Sequence, residues 1–515
     1  MSFSDDEPIV ALPNAGPRPI PIVAGRVQLV SKNNSKAPLD ENTQKVMLEL
    51  TGGDSTADRG GLDLVAVLDV SGSMAGEKLQ KMMKAMEFVI RKLSPIDRLS
   101  IVSFSSAAHR LCPLRQVTET SQPQLQGMIN KLVAKGGTNI ADGLRTAVKV
   151  LADRSNKVGR VHAVILMSDG EQNQGDASTV ATGGVPVYTF GFGEDYDPNV
   201  LNAVARNSKG GTFAVVDNVV DGLSKGFSQI LAGLVTVVVS DLKLTVSRIE
   251  DESTIQSVSA GIYDQEKALD GSSVTISFGD LYAKEVRKTI VDVLLPTIDT
   301  ERGADILEIS YAYTIGGKLF DAPPGTLTVR RSGGATADVA SDVQTEEARL
   351  NMADKIKAAR TMADGKNIVD ARDKLVEAQN ALEDVVEQTN PLVDALRNEI
   401  QQLVKLFKTQ DVYDRKGRPF ALSSETSHDR QRFAARGDID SIRLFATPRM
   451  DKYLEQAKKF DENPAAPLPS VDEDVKEEIA ANPLGPIAGP ISFYIQTAIQ
   501  ALQAIDKLIN KGANQ

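Results

Sequence analysis

One cysteine, Cys112, and three histidines, His109, His162 and His428, are all that this chain of 515 residues offers to thiol and imidazole chemistry. A single thiol excludes an intramolecular disulfide, a Cys-cluster zinc site and a CxxC redox pair, and it fits a reducing compartment. Basic residues are also in deficit, with 58 Lys plus Arg against 69 Asp plus Glu and a formal net charge of -11. That balance disfavours nucleic acid and anionic membrane surfaces, both of which ask for a basic footprint. Long apolar runs are missing too. The longest, Ile230 to Val239, is broken by Gly233 and Thr236 and falls short of the ~20 residues that a membrane helix needs. The opening MSFSDDEPIV puts acids where a secretion signal carries basic residues, so a cytoplasmic protein without a membrane span is expected.

What is present sorts into blocks. Residues 1–25 are rich in Pro, Gly and acids and read as a flexible lead. Within 26–60, Arg26 to Ser31 and Gln44 to Leu50 alternate apolar and polar residues, as half-buried strands do. From residue 61 to 237 short apolar runs, LDLVAVLD, RLSIVSFS, VHAVILMS and VPVYTFGF, are separated by stretches with helical spacing at Glu77 to Lys92, Gln122 to Ala134 and Ile140 to Ala152. Strands buried on both faces and alternating with helices imply a doubly wound α/β domain with a parallel sheet. Residues 238–330 then carry strand-length runs and no helical spacing, which predicts an antiparallel β-sandwich. The strands before residue 61 are expected to join it, making the α/β domain an insertion.

Residues 331–342 read as a linker, 343–408 as a helical hairpin or bundle, 409–460 as irregular and then helical, and 461–490 as an extended Pro-rich acidic segment. The last helix, 491–512, places Ile491, Ile495, Ala498, Leu502, Ile505 and Ile509 at heptad spacing. Packing of this face on the chain's own bundle is the favoured expectation, and self-association through it is the alternative. The fold class is therefore multidomain: a doubly wound, Rossmann-like α/β domain, an antiparallel β-sandwich and a C-terminal α-helical region.

The chemistry concentrates where the first α/β strand ends, in LDVSGSM. Asp69, Ser71 and Ser73 alternate, so all three can turn toward one point above the sheet. The loop KGGTNIADG adds Thr138 after two glycines, and the end of VHAVILMSDG adds Asp169. Each lies at the carboxyl end of a strand or in the loop beyond it, where open α/β sheets bind ligands. Carboxylates and hydroxyls without His or Cys suit a small, hard cation: Mg²⁺ is the best match, ahead of Mn²⁺ or Ca²⁺. Two acids cannot enclose the ion, so a position is left for an acidic side chain from a protein partner. Capping of a turn by Ser71 or Ser73 is the competing explanation of the pattern.

With these residues in view, the sequence resembles the von Willebrand factor A (VWA) family, whose metal-ion-dependent adhesion site consists of Asp-x-Ser-x-Ser, a distant Thr and a distant Asp. The resemblance spans about residues 62 to 235. It implies that Ser71, Ser73 and Thr138 ligate the metal through hydroxyls, while Asp69 and Asp169 bind it directly or through water. The succession of domains is similar to plant VWA proteins with a Vint-type C-terminal region and, more distantly, to inter-alpha-trypsin inhibitor heavy chains. Some of the plant proteins carry a RING module and act as ubiquitin ligases, and one cysteine cannot build a RING.

The expected function is thus a non-enzymatic scaffold or adaptor that docks a protein through the metal. The alternatives are a metal-dependent hydrolase, which would need a base or second metal, a non-catalytic relative of the ligases sharing their clients, and a vestigial site. Other signals carry less. No G-x-S-x-G elbow, dinucleotide fingerprint or phosphate loop occurs. The tripeptide Arg436-Gly437-Asp438 reads as coincidence, and Cys112 as a buried, inert thiol.

Overall fold

The computed structural model describes residues 2–10, 23–216, 222–383, 390–437 and 442–512. The chain divides into two compact units, each assembled from separate stretches of sequence. One comprises Met1–Arg18, Arg59–Thr236 and Thr345–Asp474, and the other Pro19–Asp58, Val237–Gln344 and Val475–Gln515.

The second unit is a β-sandwich. A four-stranded antiparallel sheet runs in the order Val27–Lys32, Asn42–Gly52, Val286–Leu295, Thr254–Ser259. The other sheet is built around Ser273–Tyr282, Val237–Arg248 and Arg302–Ile315. Period-two alternation points Leu48, Leu50, Val291 and Val293 from one sheet and Leu244, Val246, Ile276 and Ile306 from the other into one core. Asn42–Gly52 pairs with Val286–Leu295 so that Val46 faces Val291. Strands from before and after the α/β segment therefore close the same sandwich.

In the first unit, strands run in the order Phe213–Val216, Val187–Asp195, Val161–Gly170, Leu62–Asp69, Arg98–Phe104, Ala108–Arg110, all parallel but the last. Leu62–Asp69 and Arg98–Phe104 are buried along their whole length, as strands covered on both faces by helices must be. The chain goes from Leu62–Asp69 to one neighbour, Arg98–Phe104, and later returns on the other side as Val161–Gly170. The order thus reverses between the strands that end in Asp69 and Asp169–Gly170, and such a switch point opens a crevice above the sheet.

Residues 2–10 depart from the expected flexible lead. Asp6 meets Arg98 at 2.6 Å, Glu7 meets Arg115 at 2.7 Å, and the Phe3 ring lies 4.2 Å from the Arg110 guanidinium. Their acids answer arginines that only the folded domain brings together. Residues 11–22 of the same expected lead lie outside the described residues.

Three helices, Ser341–Asp364, Ile368–Glu383 and Pro391–Leu406, follow the sandwich strands. The irregular first part of the expected 409–460 segment instead contains the helix Arg418–Arg430, with Ser423, Ser424, Thr426, Ser427 and His428 all buried. Polar composition hid it: the helix is buried by hydrogen bonding rather than by an apolar stripe. Thr426 donates to Asn202, Arg430 to the Ser208 carbonyl at 2.7 Å, and Arg432 to the Gly210 carbonyl at 2.9 Å. The Val215 amide donates to the Ala435 carbonyl at 2.9 Å, so this stretch covers the open edge of strand Phe213–Val216.

The extended segment expected at 461–490 also differs, because it contains the helix Val471–Ala481. Ser470 and Glu473 start it reciprocally. The Glu473 amide donates to Ser470 Oγ at 3.3 Å, and the Ser470 amide donates to Glu473 Oε2 at 2.6 Å. The final helix begins at Gly485 rather than 491 and runs through Pro490 to Gly512. Its residues Ile491, Ile495, Leu502 and Ile505 are exposed, each at about half or more of its surface.

His428 carries one consequence of the polar packing. Its Nδ1 lies 3.2 Å from Arg349 Nη1 and its Nε2 lies 2.9 Å from Glu399 Oε2. Arginine can only donate, so Nδ1 accepts and the proton sits on Nε2 facing the carboxylate. Burial, together with Arg349 and Arg436, holds the imidazole below its usual 6.5 despite Glu399. Unfolded chains take up this proton near 6.5 while the folded protein refuses it, so stability falls as pH drops through that value. Urea unfolding between about pH 7.5 and about pH 5.5 should show the fall, and His428→Gln should flatten it.

Candidate metal centre

The loop after strand Leu62–Asp69 is held from both sides before any ligand is considered. The Val70 amide donates to the Phe104 carbonyl at 2.8 Å, the Lys135 amide to the Val70 carbonyl at 2.8 Å, and the Gly72 amide to the Gly136 carbonyl at 3.0 Å. The Ser71 amide donates to Asp69 Oδ1 at 2.7 Å, which curls the chain into the short turn Gly72–Met74. Gly76, with φ of +83°, then admits the chain to helix Glu77–Lys92 through a conformation that suits glycine.

Ser71 makes no side-chain cap to its turn, and Gly76 rather than Ser73 occupies the cap of the helix. The capping explanation therefore does not account for the two hydroxyls. Instead Ser71 Oγ and Ser73 Oγ lie 3.0 Å apart, and Ser73 Oγ donates to Asp169 Oδ1 at 2.8 Å. A methyl group placed on Gly170 would sit 3.2 Å from Ser73 Oγ and 3.7 Å from Thr138 Oγ1, so both hydroxyls border the end of the same strand. All five residues read from the sequence thus converge on the switch point. Asp69, Ser71, Thr138 and Asp169 are buried, and Ser73 is exposed at the mouth.

Three further residues organise the site and were not singled out in the sequence. Ser168 donates its hydroxyl to Asp69 Oδ2 at 2.6 Å. Asn173 clamps Thr138, accepting from its amide at 3.0 Å and donating to its carbonyl at 3.0 Å. Lys78, in the first turn of the helix, places its ammonium on Asp169 Oδ2. Neither Asn173 nor Lys78 falls in a recognisable spacing, and Ser168 could have been suspected only as the residue before Asp169.

Burial pushes the Asp69 carboxyl up to about 6, with the Asp169 charge adding to the effect and the Ser168 and Ser71 hydrogen bonds opposing it. Two buried carboxylates and three hydroxyls form a hard oxygen donor set, and a divalent cation would relieve that electrostatic cost. The set fits such an ion. Among the described residues no group of three or more His, Cys, Asp or Glu could hold a metal, so any coordination here depends on hydroxyls and leaves room for outside ligands.

These features define a VWA domain, and comparison with known proteins agrees. Residues 63–225 match the von Willebrand factor type A domain and residues 390–459 the family described as VWA / Hh protein intein-like. The chain carries both domains. It is 31% identical over 268 residues to the E3 ubiquitin-protein ligase WAV3 of Arabidopsis thaliana, a match covering 49% of this chain and 33% of that protein. It is 29% identical over 163 residues to inter alpha-trypsin inhibitor, heavy chain 4, of Mus musculus, covering 29% of this chain and 17% of the other. The chain thus spans about a third of the length of the plant relative. The solved von Willebrand factor type A protein of Catenulispora acidiphila aligns over 80% of this chain and 98% of its own with a TM-score of 0.62 and 15% identity, which bears on fold alone. VWA domains commonly bind proteins, and their adhesion site typically holds a divalent metal. Among the described residues no helix is long and apolar enough to cross a membrane.

Proposed function

We propose that this chain is a cytoplasmic scaffold or adaptor whose VWA domain docks a protein partner through Mg²⁺ held by Asp69, Ser71, Ser73, Thr138 and Asp169. The observation that carries the reading is the meeting of hydroxyls from the Asp69 loop with Thr138 and Asp169 at the switch point. A bound cation would supply a positive centre with a coordination position for the partner's acidic side chain. The protein's own groups do the rest. Ser168 fixes the Asp69 carboxylate, Asn173 fixes Thr138, and Ser73 stands at the exposed mouth.

Hydrolysis would call for a base or a second metal beside this set, and the proposed reading gives these residues a docking role, with no group of three or more His, Cys, Asp or Glu able to hold a second ion among the described residues. The plant relatives are named ubiquitin ligases, and this chain carries a single cysteine. The shared region is accordingly proposed to be a client-binding part, and clients of the same kind are the first partners to seek. Affinity capture from a native extract, with Mg²⁺ or with chelator, should return a prey set that needs both Mg²⁺ and Asp69. Identical sets in all conditions would sink the docking reading.

Self-association through the C-terminal helix is a further proposal, supported by the heptad spacing and exposure of Ile491, Ile495, Leu502 and Ile505. Light scattering at micromolar concentration should give a dimer for the wild type and a monomer for Leu502→Glu. A monomeric wild type would remove the seam.

A further inference from the structure

We infer that Lys78 is a built-in counter-ion that competes with the divalent cation for Asp169 and sets the affinity of the site. The inference rests on the cation reading above and concerns its regulation.

The two acids of the site are treated differently. Among the described residues Asp69 is held by neutral donors, the Ser71 amide on Oδ1 and the Ser168 hydroxyl on Oδ2. Asp169 receives the Ser73 hydroxyl on Oδ1 and a full positive charge, the Lys78 ammonium, on Oδ2. The Lys78 side chain is 24% exposed and that of Asp169 is 0% exposed, so the ammonium reaches inward to a carboxylate that solvent does not touch. Gly193 leaves it space: a Cβ there would lie 3.3 Å from Nζ.

Helix stability does not explain the placement. Lys78 is the second residue of Glu77–Lys92, and a cation in the first turn opposes the helix dipole. Its energetic partner is the site. A divalent cation on the same hydroxyls and carboxylates would stand within a few ångströms of the ammonium, and like charges at that range repel strongly where water is scarce. The long lysine stem can swing its charge toward solvent. Binding therefore exchanges one cation for another at Asp169, and the exchange weakens the apparent affinity.

Calorimetric titration of MnCl₂ into metal-free full-length chain tests this with wild type, Lys78→Met, Lys78→Arg and Asp169→Ala, with melting curves run alongside. Lys78→Met should bind about ten-fold more tightly than wild type, Lys78→Arg should stay near wild type, and Asp169→Ala should not bind. Lys78→Met should also melt lower than wild type without cation and gain more on adding it, a pattern that loss of a merely structural contact would not give. Equal or weaker binding by Lys78→Met, with wild type binding normally, would overturn the competition while leaving the cation reading intact. Absence of binding in wild type and Lys78→Met alike would overturn the cation reading and this inference with it.

Discussion

Alanine at position 69 is expected to abolish cation binding and, with it, cation-dependent partner capture. Loss of a supporting group around a metal already costs ~10 to 100-fold in affinity, and Asp69 is placed to do more. It contributes one of two buried carboxylates, and its Oδ1 holds the turn that presents Ser71 and Ser73. Removing it takes away charge and geometry together, so the expected loss exceeds about 100-fold. Asp69→Asn separates the two effects. The amide can keep an oxygen toward the Ser71 amide or the Ser168 hydroxyl while losing the negative charge, so the turn should survive and binding should not. Thermal melting offers an independent reading, since a ligand present at 100 times its Kd stabilises the folded state by about 2.7 kcal/mol. Wild type should gain that stability on adding MnCl₂, and Asp69→Asn should gain none. A wild-type shift reproduced in full by Asp69→Asn would remove the carboxylate from the proposed ligand set.

Asp474→Ala should cost about 3–5 kcal/mol of stability, because it strands a buried ammonium. Lys92 and Asp474 are both fully buried and paired, and Lys92 Nζ also donates to Gln456 Oε1 at 2.8 Å. Burial holds the lysine down to about 8 even with Asp474 beside it. Asp474 itself also receives Lys452 at 3.0 Å, so its loss strands part of a network rather than one partner. Urea unfolding measures the cost directly. The double change Lys92→Met with Asp474→Leu should recover most of it, since an apolar pair of similar volume removes the uncompensated charge. A single variant within about 0.5 kcal/mol of wild type would show that the pair contributes little.

The strand ends that carry the proposed oxygen ligands were legible in the sequence for a physical reason. Oxygen ligands on an α/β sheet must come from strand ends, and the buried runs that mark those ends are unmistakable in LDLVAVLD and VHAVILMS. The interrupted sandwich was legible as well, from strand-like alternation on both sides of the α/β segment. Helix Arg418–Arg430 was not, because its burial is satisfied by serine, threonine and arginine hydrogen bonds that leave no apolar period. The start of helix Val471–Ala481 did leave a signal, Ser470 three residues before Glu473, but prolines on either side pointed to an extended chain. Lys78 and Asp6 illustrate a different limit. A charge whose partner lies far along the chain carries no local pattern, and only the fold brings Lys78 to Asp169 or Asp6 to Arg98.

The pairing of Asn42–Gly52 with Val286–Leu295 also dictates an order of events during synthesis. The first strands of the sandwich leave the ribosome long before their partners exist, and their apolar faces must wait while the whole α/β segment is made. That segment contains its own sheet, whose strand pairings involve residues made before the later sandwich strands, so they can form while the sandwich waits. A chain stalled before residue 286 would have Val27–Lys32 on one side of Asn42–Gly52 but nothing on the other, an open edge of the kind that recruits chaperones or other copies of itself.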